Sequence, residues 1–257
     1  VVVVSVLSAI GLNGRAVIPL IIGFGCVTMA TITTRLLGTQ REKTIATAIL
    51  GLTIPCSAQL GVIFGLLAKT GATWTWAVYG GTMFAILVAV GTILDRILPG
   101  KSSALLIDLP PLRLPQWRNV LRKTWTKSVG FLQEAIPLFV VAALGVGIMK
   151  VTGALAVVTK ALEPLVVGLL HLPATAATAF IMGLIRRDFG AAGLTTMALS
   201  PVQIVVALIV ITLFVPCIAT VVVLYKERGW KEATSLWLGS WVFAFAIGGV
   251  LTRALGS

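Results

Sequence analysis

The 257 residues are 58% apolar and only 11% charged, with a mean hydropathy of +1.06, which excludes a soluble globular domain. A net charge of +12 would suit a nucleic-acid binder, but the bases sit in the breaks between apolar runs without an aromatic stacking platform. With one histidine, no phosphate-binding Gly-x-x-x-x-Gly-Lys-Ser/Thr loop and no Gly-x-Ser-x-Gly elbow, the chain is expected not to be an enzyme.

Apolar stretches fall at 1–12, 16–34, 45–68, 76–98, 129–149, 153–171, 174–199, 203–225 and 233–255. Most approach the roughly 20 residues a helix needs to cross about 30 Å of hydrocarbon. They predict an all-α polytopic membrane protein with about 8 membrane segments, some of them broken or re-entrant, because barrel strands would alternate polar and apolar residues instead. The chain opens inside an apolar run at Val1–Val4 with no charged leader, so the sequence is expected to begin within a longer protein.

In chain order, the first informative stretch is 16–34, where Pro19, Gly23 and Gly25 precede Cys26. Gly/Pro-broken backbone at membrane depth is tolerated only where protein or water satisfies it, which points to a transport site. Bases cluster at 35–43, 95–127 and 226–232, and the positive-inside rule puts these stretches in the cytoplasm. The longest polar interruption, 99–127, carries four prolines and ends in a basic stretch with Trp117 and Trp125, which reads as an interfacial helix. Glu134, Glu163 and Asp188 are the acids left within apolar segments, and Asp188, following Arg186 and Arg187, ranks first as a functional candidate. His171, beside Leu172 and Pro173, reads as a helix-end residue rather than a ligand.

The segment Thr53-Ile54-Pro55-Cys56-Ser57-Ala58-Gln59 resembles Phe214-Val215-Pro216-Cys217-Ile218-Ala219-Thr220. The charge rule gives the two copies opposite senses, which predicts inverted gate repeats with a site near the midplane. Each proline would free carbonyls beside a thiol, a sulfur and oxygen set suited to a borderline divalent transition metal rather than Mg²⁺ or Ca²⁺. A kinked helix with a space-filling thiol accounts better for one such copy taken alone, and the metal reading gains from there being two. Two rivals stay open at this point: a transporter of another solute, nucleoside-like or another divalent metal, and a non-transporting scaffold subunit.

The residues Gly11-Leu12-Asn13-Gly14-Arg15, Ile18 through Cys26, Thr34-Arg35 and Cys56-Ser57-Ala58 resemble the first gate region of FeoB-type ferrous iron transporters. Leu109 through Pro115 with Lys123-Thr124-Trp125 is similar to that family's central linker. Gly183 through Asp188 and Phe214 through Thr220, with Glu227-Arg228-Gly229-Trp230, resemble its second gate region. The order implies a first gate region at 1–98, truncated at its N-terminus, a cytoplasmic basic linker with an interfacial helix at 99–127, and a second gate region at 128–257. The resemblance implies inward transport of Fe²⁺ across a bacterial inner membrane in a multi-pass domain, with Cys26, Cys56 and Cys217 as metal-contacting residues. Pro55, Ser57, Pro216, Arg187 and Asp188 are the expected gating or pathway residues. It also implies no permanently bound cofactor, GTP acting only through a GTPase domain absent from this chain, and partners limited to the bilayer, that domain in cis or trans, small accessory iron-transport proteins and further copies of the chain. Two departures stand out. Val27-Thr28-Met29-Ala30 follows Cys26 where the family has Asn-Val-Pro-Ala, and Gln59-Leu60-Gly61 replaces Arg-Leu-Pro.

Overall fold

The computed structural model describes residues 12–98, 116–214 and 217–256, and among these all regular structure is helical. Helices α1 (Val17–Gly25) and α2 (Val27–Thr33) are joined through Cys26; α3 (Gln40–Leu52) and α4 (Ser57–Lys69) are joined through the non-helical stretch ending at Cys56. Then come α5 (Thr73–Ile97), α6 (Trp117–Val151) and α7 (Ala154–Leu170). Helices α8 (Ala176–Ile185) and α9 (Arg187–Leu194) meet at Arg186, and α10 (Pro201–Phe214) precedes Cys217 and α11 (Ile218–Leu255).

Three stretches are long and apolar enough to cross a membrane among the described residues: Gln40–Lys69, Thr73–Ile97 and Pro201–Leu255. Two of the three contain a break that a hydropathy window passes over. The interfacial helix expected at 116–127 is not a separate element, because α6 runs unbroken from Trp117 to Val151 with Pro137 inside it. At 1.5 Å per residue, 35 residues span roughly 52 Å, well beyond a bilayer's hydrocarbon, and nothing around Ser128 stops the helix.

The two halves repeat one plan. In α1 and α2 the chain reverses at Cys26, whose φ of −150° and ψ of 116° are extended, and a methyl group on Gly23 would lie 3.7 Å from Ala30 Cβ. In α8 and α9 it reverses at Arg186, with φ −149° and ψ 131°, and Gly183 backs onto Gly190. Gly23 and Gly183 each stand three residues before the reversal, and Ala30 and Gly190 each stand four after it. Both pairs are therefore helical hairpins whose arms touch through small residues. The second motif is a helix broken in mid-course, with φ −76°, ψ 165° at Cys56 and φ −54°, ψ 154° at Cys217. The two broken helices run antiparallel: Gln40 at the start of α3 bonds Arg228, and Gln59 Nε2 donates to Thr212 Oγ1 at 2.9 Å.

Every reversal keeps its backbone paired. Cys26 N still donates to Ile22 O at 2.9 Å, and its own carbonyl accepts the first bond of α2 from Ala30 N at 3.0 Å. Cys56 O, Cys217 O and Arg186 O likewise accept from Leu60, Val221 and Gly190 N. Each of these residues is thus the N-cap of a helix that starts inside the molecule. Around them α10 forms the centre, buried on all sides from Ile204 to Phe214, which is what an apolar helix without a polar face requires. Phe214 is held edge-on by Phe180 and Phe245, with ring centroids 5.8 and 5.2 Å away, and Trp241 lies at 4.8 Å. Side chains such as Ile21, Phe24, Phe84 and Val242 point outward, the arrangement expected of a lipid-facing surface.

Candidate functional site

The two reversals and the two helix breaks converge. A cavity of about 320 Å³ is lined by Gly25 through Thr28, by Cys56, Ser57 and Ala58, by Arg186, Arg187 and Asp188, and by Cys217, Ala219 and Thr220. Its walls are therefore the N-terminal turns of α2, α4, α9 and α11. All three cysteines, half-buried and free of disulfides, lie on this one cavity. Six water molecules at about 30 Å³ each occupy roughly 180 Å³, so a hydrated divalent ion fits.

The sulfur atoms sit among hydroxyls. Cys217 Sγ is 3.1 Å from Thr220 Oγ1 and 3.7 Å from Thr28 Oγ1, and the two threonine hydroxyls bond each other at 2.9 Å. Ser57 Oγ donates to Gly25 O at 3.0 Å, tying the start of α4 to the end of α1. Among the described residues no three His, Cys, Asp or Glu side chains close on one point to form a metal shell. The cavity is lined by separated donors instead.

The basic cluster divides in two. Arg186 forms a two-point pair with Asp188, with Nε to Oδ1 at 3.0 Å and Nη2 to Oδ2 at 2.9 Å, and lies 5.0 Å above the Phe189 ring. Arg187, only 3% exposed, donates instead to the Gly51 and Ile54 carbonyls at the end of α3. Two of the oxygens that the break before Pro55 frees are thus occupied by a guanidinium and are not available to an ion as the sequence suggested. Pro55 itself is buried at that break, Pro216 lies outside the described residues, and so does the side chain of Glu134. Glu163 is away from the cavity lining, and His171 caps the end of α7 in the left-handed conformation, its carbonyl accepting Gln203 Nε2 at 3.0 Å.

One pair of side chains was not visible as a candidate. Thr28 and Thr220 close one side of the cavity, and only the repeat offset, with Thr220 at the place of Gln59, hinted at them. Gln59 is fully buried, with Oε1 unpartnered, beside Thr212, whose hydroxyl also meets Tyr79 Oη at 3.2 Å.

Comparison with known families places this geometry. Residues 2–70 and 132–231 match the Gate family model, described as nucleoside recognition, and residues 77–127 match the model of the ferrous iron transport protein B C terminus. The Fe(2+) transporter FeoB of Methanocaldococcus jannaschii is 27% identical over 89% of this chain, that of Staphylococcus aureus 25% identical over 88%, and that of Helicobacter pylori 29% identical over 57%. The chain spans 39%, 38% and 23% of those relatives' own lengths. No solved structure matches. Two half-matching hairpins, two antiparallel broken helices and a family match on both halves lead to one assignment: the chain belongs to the Gate family, as a FeoB-type membrane domain.

Proposed function

We propose that this domain passes ferrous iron into the cytoplasm through the cavity where two hairpins reverse and two helices break. The observation that carries the reading is the meeting of Cys26, from one reversal, with Cys56 and Cys217, from the two breaks, on one cavity between the two halves. Thiols and hydroxyls form a mixed soft and hard donor set that suits Fe²⁺ and is poor for Mg²⁺ or Ca²⁺. Because the donors are spread along the walls, the ion exchanges its waters for protein ligands a few at a time and is never locked into a closed shell. Two arginines against one aspartate leave the lining with a formal excess of positive charge, which weakens retention and favours release.

In this reading Ser57 and Arg187 hold the breaks open: Ser57 ties two helix ends together, and Arg187 neutralises the carbonyl end of α3. Asp188 lines the cavity and its pairing with Arg186 makes it a gating group. A nucleotide-hydrolysing domain of the kind the longer relatives have room for would drive the motion, and the bacterial inner membrane is the setting.

The test is anaerobic Fe²⁺ uptake into liposomes containing the chain, followed with an enclosed iron-sensitive dye. Cys217→Ser is expected to lower the initial rate about tenfold or more, since a hydroxyl is a poor substitute for sulfur toward a borderline metal. Uptake by Cys217→Ser equal to the parent's defeats the sulfur path, and competition by free nucleosides would favour an organic solute instead.

A further inference from the structure

The cavity has a floor, and one residue of that floor, Thr220, also lines a second, smaller space. The floor is the 2.9 Å hydrogen bond between Thr28 and Thr220. On its far side Thr220 borders a second space of about 20 Å³, whose walls include Thr47, Leu52, Leu224, Trp237 and Ser240. That volume holds roughly one water molecule. Next to it Thr47 Oγ1 accepts from Arg228 Nη2 at 3.3 Å, while Arg228 Nη1 donates to Gln40 Oε1 at 3.1 Å. Alongside, Arg35 grips Glu227 with two nitrogens, and Thr44 Oγ1 donates to Glu232 at 3.3 Å.

All of these contacts join residues 35–47 of the first half to residues 227–232 of the second, on the face where the bases cluster. They surround Gly229, whose φ of 75° and ψ of 171° interrupt α11 in a region essentially closed to other residues. A short segment with a permissive backbone and mostly polar ties is the kind of element that absorbs a gate's rotation.

Resting on the reading of the cavity as an ion path, we propose that the ion leaves between α3 and the first half of α11. Thr220 and Thr47 supply successive oxygen ligands in this exit, and the Arg35–Glu227 and Arg228–Gln40 contacts form its cytoplasmic clasp. Leu52 and Leu224 make the passage apolar between the two hydroxyls, so it stays dry and shut until the clasp parts. The clasp is a weak one by construction: Arg35 is 63% exposed, so salt screens its attraction to Glu227.

The experiment uses the full chain in liposomes and reads two things, modification of Cys217 by a membrane-impermeant methanethiosulfonate added on the Arg35 side, and Fe²⁺ flux. Glu227→Gln is expected to speed Cys217 modification about threefold, as is raised salt on the parent. The exchange Arg35→Glu with Glu227→Arg restores the parent's rate, which also shows that the altered face still folds. Faster modification in Glu227→Gln without any Fe²⁺ flux in the parent supports the exit and overturns the iron path. Fe²⁺ flux in the parent with neither readout changed in Glu227→Gln keeps the path and overturns this exit.

Discussion

Replacing Gly190 by alanine puts a new carbon 2.7 Å from Gly183 Cα, 2.9 Å from Ala179 O and 3.0 Å from Gly183 N. All three are backbone atoms of the facing arm, so none can swing aside, and the α8 and α9 hairpin must open. Overpacking of this kind costs about 1–3 kcal/mol, and contact with backbone on every side sets it at the upper end. The better helix propensity of alanine returns about 1 kcal/mol, leaving a net loss of roughly 2 kcal/mol. Gly183→Ala is the contrasting change at the same contact. Its new carbon comes no closer than 3.6 Å to Gly190 Cα, an ordinary contact, so the propensity gain stands and the domain is unchanged or slightly more stable. Equilibrium unfolding in mixed micelles with added denaturing detergent, read by tryptophan fluorescence, measures both. Equal midpoints for the two variants, or a less stable Gly183→Ala, refute the hairpin packing argued here.

Arg187→Met leaves the Gly51 and Ile54 carbonyls without their donor in a buried place and is expected to lower stability by about 2 kcal/mol in the same assay, the lost bonds being partly offset by the removal of a buried charge. Arg187→Lys keeps the charge but loses the fork, and falls between the two. Gln59→Leu removes an unpartnered buried oxygen while Thr212 keeps Tyr79 and Leu208 as partners, so stability changes by less than about 1 kcal/mol, whereas Gln59→Glu, which buries a charge, costs several times that. Gly229→Ala strains a backbone with ψ near 171° and is expected to lower the unfolding midpoint more than Gly71→Ala, whose φ of 63° lies in the milder left-handed helical region.

The all-helical membrane character was legible in the apolar runs, and the equivalence of the helix breaks at Cys56 and Cys217 was legible in the repeated Pro-Cys-x-Ala. The hairpins were not. Cys26 and Arg186 occupy the same place with nearly the same dihedral angles, yet one is a thiol and the other a guanidinium, because what the reversal needs is an extended residue between small-residue contacts. Only Gly23 and Gly183 carry that requirement in both copies, and a single shared glycine makes no motif. Within Arg186-Arg187-Asp188 only Arg186 pairs with the acid, while Arg187 turns to carbonyls 133 and 136 positions away, and backbone acceptors leave no mark in a sequence.

The space below Thr220 has room for a single water, a fact that bears on which ions could ever use it. If the proposed exit carries the ion, an aquo-ion would not enter whole and would arrive stripped, with at most one companion. Magnesium, which surrenders its hydration sheath reluctantly and demands six oxygens around it, would then be turned back by kinetics before charge or size is consulted. Discrimination against the cell's commonest divalent metal would then reside in the narrowness of the way out as well as in the sulfur of the chamber above.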